Sequence, residues 1–214
     1  MQKAGSIGLT LGRLQYISCG NTAREQEDNI RRVLDNGGDW VQVRWKNATQ
    51  KERLALCETI VKHCHAYQAV CIINDSVAIA KIVDADGVHL GLSDESVVSA
   101  RHTLGLKKII GGTANTLDDV NRRAKEGCNY IGLGPYRFTT GKENLSPLLG
   151  ITGYEYILQA LAEQGISVPP LFAVGGITLA DVEPIRNTGI YGVAVSGAIT
   201  QQPHLIPFFK DKLQ

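Results

Sequence analysis

Eight short apolar runs alternate with seven amphipathic stretches, and this rhythm constrains the fold more than any single residue does. The runs cover residues 14–18, 40–44, 70–73, 87–90, 108–111, 130–133, 171–174 and 192–195. Between them lie helical patterns over 23–35, 50–67, 77–83, 96–104, 117–126, 153–164 and 179–187, with a last one over 205–213. Short apolar strands separated by helices imply parallel pairing with both faces of the sheet covered. Eight such units predict a (β/α)8, or TIM, barrel of α/β class. An open doubly wound sheet is the alternative. It needs fewer strands and a glycine-rich first turn, and Ser18-Cys19-Gly20-Asn21 is not one. No linker or low-complexity tract interrupts residues 1–214, so a single barrel domain is expected.

Chemistry on this fold sits at the carboxyl ends of the strands. The third and fourth runs are followed by Asp75 and Asp94, which would open onto one face if these strands are neighbours. Two carboxylates beside phosphate oxygens suit Mg²⁺, which keeps several waters and takes one or two protein carboxylates. Each aspartate also stands where it could cap the following helix, and a cap and a metal ligand are not exclusive. In the second run, Gln42, Arg44 and Lys46 fall on one face and Val41, Val43 and Trp45 on the other. Two cations turned into a barrel mouth need an anionic partner, and Arg and Lys suit phosphate. Thr113, read as lying past the fifth run, offers a hydroxyl there. His89, within the fourth run, reads as a satisfied core residue. After the sixth run comes the longest irregular segment, Gly134 to Gly150, with Thr139, Thr140, Gly141 and Lys142. A loop this long in a compact domain is usually functional or disordered. Gly175-Gly176 and Ser196-Gly197 end the seventh and eighth runs, where barrels of this type hold phosphate on backbone N–H groups.

The formal net charge of +1, with scattered Lys and Arg, gives no field to draw nucleic acid or a membrane surface. No apolar run is long enough to span a bilayer, and the first twenty residues lack a signal pattern. Five cysteines without a CxxC pair read as reduced, buried thiols, so a cytoplasmic location is expected. His63, Cys64 and His65 are adjacent on a helix, where their side chains diverge and do not form a metal site.

In order and spacing, Gln42-Val43-Arg44-Trp45-Lys46, Asn74-Asp75, Gly87-Val88-His89-Leu90-Gly91 with Asp94, the Gly134-Pro135 loop ending in Lys142, and Val174-Gly175-Gly176-Ile177 resemble the thiamine phosphate synthase family. That family joins a hydroxymethylpyrimidine diphosphate to a hydroxyethylthiazole phosphate and releases diphosphate. The resemblance implies that Gln42, Val43, Arg44, Trp45, Lys46, Asn74, Thr113 and Lys142 hold the pyrimidine diphosphate, and that Asp75 and Asp94 bind Mg²⁺. It implies that Thr139, Thr140 and Gly141 contact the thiazole phosphate, with Gly176, Val195 and Ser196 on its phosphate group. Arg44, Lys142 and Thr113 would act catalytically on the departing diphosphate. Trp45 stands where the family usually has an acidic residue, Thr113 replaces a usual serine, and Gly141 falls where threonine or serine is common. Asn115 replaces a usual histidine. A related thiazole tautomerase depends on a histidine in that region, so Asn115 favours the synthase. The alternatives are a tautomerase-like paralogue and a non-catalytic barrel that binds thiazole phosphate. Small molecules are the expected partners, and a homo-oligomer is compatible with the sequence.

Overall fold

The computed structural model describes residues 11–138 and 147–214. Eight parallel strands close into a barrel in sequence order. They are β1 (Leu14–Ile17), β2 (Trp40–Val43), β3 (Val70–Asn74), β4 (Gly87–Leu90), β5 (Ile109–Ala114), β6 (Tyr130–Leu133), β7 (Leu171–Val174) and β8 (Gly192–Val195). The ring closes where Leu14 of β1 pairs with Val193 of β8. Around it run α1 (Ala23–Asp35), α2 (Gln50–Ala66), α3 (Val77–Ile82), α4 (Val97–Leu104), α5 (Leu117–Glu126), α6 (Gly150–Glu163), α7 (Val182–Asn187), α8 (Gly197–Gln201) and α9 (Ile206–Lys212). The expected barrel is the observed one. No helix among the described residues is long and apolar enough to cross a membrane.

Side-chain alternation divides every strand between two cores. Val41 and Val43, Cys71 and Ile73, Val88 and Leu90, and Ile131 and Leu133 face the helices in one large cluster. The residues between them face inward. At the amino-terminal end the inside is an apolar plug of Leu11, Trp40, Ile72, Ile109, Tyr130 and Phe172. Trp40 meets Tyr130 and Phe172 edge-on, with centroids 5.0 and 5.1 Å apart. Above the plug the inward residues turn polar: Gln15, Gln42, Asn74, His89 and Thr113. The apolar part of the barrel interior thus lies at its amino-terminal end, and the polar part faces the mouth.

The strand β5 runs three residues further than its sequence pattern suggests. Gly111, where the fifth run was expected to end, and Gly112 beyond it both lie inside the strand. A Cβ on Gly111 would overlap the Tyr130 ring, and one on Gly112 would lie 2.8 Å from both Arg123 Cδ and Cys128 Sγ. The two glycines make room, one inside the barrel for Tyr130 and one outside for Arg123. Thr113 is therefore an inward-facing strand residue and not part of a turn.

The helix α8 is a short turn that the sequence pattern did not reveal. The stretch read as one helix over 179–187 begins as a 3-10 turn, Leu179–Asp181, before α7. The cysteines of the described residues are free thiols. Four are buried as expected, while Cys19 is exposed.

Candidate active site

At the carboxyl end of β3 the chain turns sharply. Asp75 has φ +65°, in the left-handed region that aspartate enters more readily than most residues. Its N–H still donates to the His89 carbonyl of β4 at 2.8 Å, which ties the turn to the neighbouring strand. The helix caps are then supplied by serines. Ser76 Oγ accepts from Ile79 N–H at 3.2 Å to start α3, and Ser96 Oγ accepts from Ser99 N–H at 3.1 Å to start α4. Neither aspartate caps its helix, so the capping reading is set aside. Asp94 instead accepts the Gly91 N–H at 2.6 Å, and the Asp75 carboxyl lies within hydrogen-bonding reach of the Asp94 carboxyl. The two carboxylates expected to share a face do meet.

Burial, followed by the hydrogen bond and charge of Asp94, pushes Asp75 up to about 6, while Arg44 and Lys46 pull it down. A carboxylate with a raised pKa binds its proton more tightly in the folded chain than in the unfolded one. Its contribution to stability is therefore complete below the unfolded value and is lost as pH rises through about 6. With no divalent ion present, Asp75→Asn is expected to be more stable than the parent at about pH 8, by on the order of 1–2 kcal/mol after solvent screening at this half-buried site. The difference should vanish below about pH 3, where Asp75 is neutral in the folded and the unfolded chain alike. Thermal unfolding of the two proteins at both pH values checks this.

Arg44 follows directly on β2. Its backbone is held on both sides, by Ser18 Oγ accepting its N–H at 2.8 Å and by the Gln26 amide donating to its carbonyl at 3.1 Å. Burial lowers its pKa from the usual value, and Asp75 offsets part of that. Lys46 lies in the exposed turn beyond. Beneath them, Gln42 Nε2 donates to Asn74 Oδ1 at 2.6 Å. Gln42 is 3% exposed, and its Oε1 is buried with no hydrogen-bond partner. An orphaned buried acceptor costs on the order of 1–3 kcal/mol, which a ligand N–H would recover.

Thr113 Oγ1 lies 3.0 Å from His89 Nε2, and His89 Nδ1 lies 3.0 Å from the Tyr130 hydroxyl. His89 is thus the satisfied core histidine that was expected. Asn115 is engaged as well: its amide donates to the Gly134 carbonyl, and its N–H donates to Asp119 at 3.0 Å. It fastens the start of the loop after β6.

Gly176, at the end of β7, is exposed and has φ +66°, where a side chain would be strained. A Cβ there would also meet Arg137 Cγ at 2.5 Å. Arg137 lies across this corner, donating to the Gly176 carbonyl at 3.0 Å and to both Asp181 oxygens at 2.9 and 2.6 Å. Ser196 sits between β8 and α8, with its carbonyl accepting from Thr200. Thr139, Thr140, Gly141 and Lys142 lie outside the described residues.

Three expected contact residues turn their side chains elsewhere. Val43 and Val195 are buried between sheet and helices, and Trp45 packs against the same layer with its indole N–H donating to the Asn21 carbonyl at 3.3 Å. His63 and His65 diverge, as expected, to Glu27 at 3.1 Å and Asp86 at 3.4 Å. The sequence reading missed Arg123, Arg137, Tyr130 and Gln15. Each reaches its partners across strands or loops, so no local pattern marks it. A charged residue on the apolar stripe of α5 was the one available signal for Arg123.

Fold and site together define the closed (β/α)8 barrel whose chemistry-bearing side chains converge at the carboxyl ends of its strands. Residues 14–199 match the model of the thiamine monophosphate synthase family. The chain is 54% identical over 189 residues to the thiamine-phosphate synthase of Flavobacterium johnsoniae, covering 88% of this chain and 89% of that one. It is 43% identical over 190 residues to that of Bacteroides fragilis, covering 89% and 93%. Among solved structures it resembles the thiamine phosphate pyrophosphorylase from Pyrococcus furiosus, with a TM-score of 0.78 and 26% identity over 94% of this chain and 97% of that one. The chain belongs to the thiamine monophosphate synthase family.

Proposed function

We propose that the protein is a thiamine-phosphate synthase, a transferase that moves the hydroxymethylpyrimidine group from its diphosphate to the ring nitrogen of hydroxyethylthiazole phosphate. The observation that carries this reading is the Asp75–Asp94 pair beside Arg44, in a chain of this family. Two carboxylates in contact, neither of them a helix cap, call for a cation between them. Among the described residues no third His, Cys, Asp or Glu joins them, which fits Mg²⁺ and its demand for phosphate oxygens and water. When bound, Mg²⁺ would neutralise charge on the leaving diphosphate.

The chain's own residues do the rest. Gln42 Oε1, the orphaned acceptor, takes the exocyclic amine of the pyrimidine, and Asn74, held by Gln42, positions the same ring. Arg44, Lys46 and Lys142 surround the diphosphate, with Thr113 as a hydroxyl donor from the barrel wall. The bond that breaks joins a benzyl-like carbon to diphosphate, and the electron-rich aminopyrimidine stabilises the carbocation left behind. Arg44 and Lys142 hold the charge that develops on the departing group. Thr139, Thr140 and Gly141 place the thiazole, whose phosphate rests on Gly176, the Val195 backbone and Ser196. The thiazole nitrogen attacks with its lone pair, so no general base is needed. Asn115, an amide fastened to Gly134, does not titrate near neutral pH and cannot serve as the acid or base of a tautomerase.

Mixing both substrates with and without Mg²⁺ tests this. Thiamine phosphate and diphosphate should form in equal amounts only when the metal is present. A barrel that merely bound thiazole phosphate would give no product, and calorimetry would show it indifferent to the pyrimidine diphosphate.

A further inference from the structure

Four inward-facing polar groups form an unbroken line from the barrel's centre to its mouth. Gln15 Nε2 donates to the Tyr130 hydroxyl at 3.0 Å, Tyr130 meets His89 Nδ1 at 3.0 Å, and His89 Nε2 meets Thr113 Oγ1 at 3.0 Å. The ring of Tyr130 is completely buried, and only the missing side chain of Gly111 lets it reach across β5 to His89. Sequence separations of 115, 41 and 24 residues are bridged. A buried aromatic core would pack as well with phenylalanine at 130, so packing does not account for the hydroxyl.

The line has a direction. A tyrosine hydroxyl has one proton to give. Gln15 already donates to the Tyr130 oxygen, so the Tyr130 proton goes to His89 Nδ1. Neutral imidazole carries a single N–H, and with Nδ1 accepting, that N–H is on Nε2. His89 therefore donates to Thr113, whose oxygen becomes an acceptor on the wall side and keeps its own proton for the mouth. The opposite tautomer would turn the Nδ1 proton toward the Tyr130 oxygen that already accepts from Gln15, and would take from the tyrosine proton the acceptor that His89 supplies.

We propose that Gln15, Tyr130 and His89 are positioning residues that lock the Thr113 hydroxyl as a hydrogen-bond donor toward an anionic oxygen of the substrate in the barrel mouth. The inference rests on the synthase reading, in which that oxygen belongs to the departing diphosphate. A hydroxyl free to rotate would donate or accept equally well. The relay removes the second choice before the substrate arrives, so the donor is in place as charge develops. Its contribution falls on turnover more than on binding, because the hydrogen bond strengthens as the leaving oxygen gains charge.

Two measurements test it. The first uses the whole, unliganded protein with ¹⁵N-labelled histidine, and its result does not depend on the reaction. The ring nitrogens of His89 should report protonated Nε2 and bare Nδ1, and Tyr130→Phe should lift that preference. A protonated Nδ1 in the parent protein would overturn the direction and with it the proposal. The second compares Tyr130→Phe in two backgrounds by steady-state kinetics. Beside Thr113 it should lower kcat about tenfold with little change in KM. In Thr113→Val, which has lost the hydroxyl the relay acts on, it should lower kcat no further. Equal losses in both backgrounds would show a structural role alone and refute the proposal. If the parent protein forms no thiamine phosphate at all, the synthase reading fails, whereas the tautomer measurement stands on its own.

Discussion

Replacing Asp75 or Asp94 by asparagine should lower turnover by a factor on the order of 10²–10⁴ while leaving the barrel folded. Asparagine is the informative choice. At 75 it tolerates the left-handed backbone, φ +65°, that alanine would strain, and at 94 its side-chain oxygen can still accept the Gly91 N–H. Each variant thus keeps local geometry and removes only the negative charge. The two losses should not add, because either change alone breaks the same pair. Raising Mg²⁺ should recover part of the rate in each single variant and little in the double. Circular dichroism and kcat at saturating substrate check this together. Near-parent turnover in both single variants would rule out the metal assignment.

The largest stability loss is expected away from the chemistry, at Arg123. This residue of α5 is 3% exposed and ties together the ends of two strands. Its Nε donates to the Thr113 carbonyl at 3.1 Å, Nη2 to the Gly91 carbonyl at 2.6 Å, and Nη1 to Glu126 at 2.8 Å. Arg123→Ala would leave these carbonyls without their donor, remove the partner of Glu126, and open a void behind Gly112. Breaking such a buried pair costs about 3–5 kcal/mol, a large fraction of the roughly 5–15 kcal/mol that holds a domain. Arg123→Lys should recover only a minor part, since an ammonium group cannot serve three directions at once. A fall in the urea midpoint at constant slope measures the loss, and a change below about 1 kcal/mol would contradict the role given to the guanidinium. Because Gly91 is held by Arg123 on its carbonyl and by Asp94 on its N–H, the same variant should also weaken Mg²⁺ binding.

Much of the site was legible in the chain. Asp75 and Asp94 each follow an apolar run by a few residues, and parallel neighbours put such positions on one rim. Gln42 and Val43 fall on opposite faces by simple alternation. The errors were local to places where space decided the outcome. The fifth run reads as ending at Gly111, because the reason for two glycines in mid-strand is a ring from β6 and a guanidinium from α5. Trp45 falls on the face opposite Arg44 by the same alternation, and its large apolar indole packs on the outer core.

Sequence periodicity by itself determined the class of fold, the order of the strands and the list of polar residues delivered to the rim, because these depend on spacings of two to four residues that each segment carries alone. Only the closed barrel decided which of those residues touch. Gln15 of β1 meets Tyr130 of β6 across the interior because eight strands curve until the last pairs with the first, whereas Asp75 and Asp94 need only the pairing of β3 with β4. That closure is a property of the whole ring, so no segment records it.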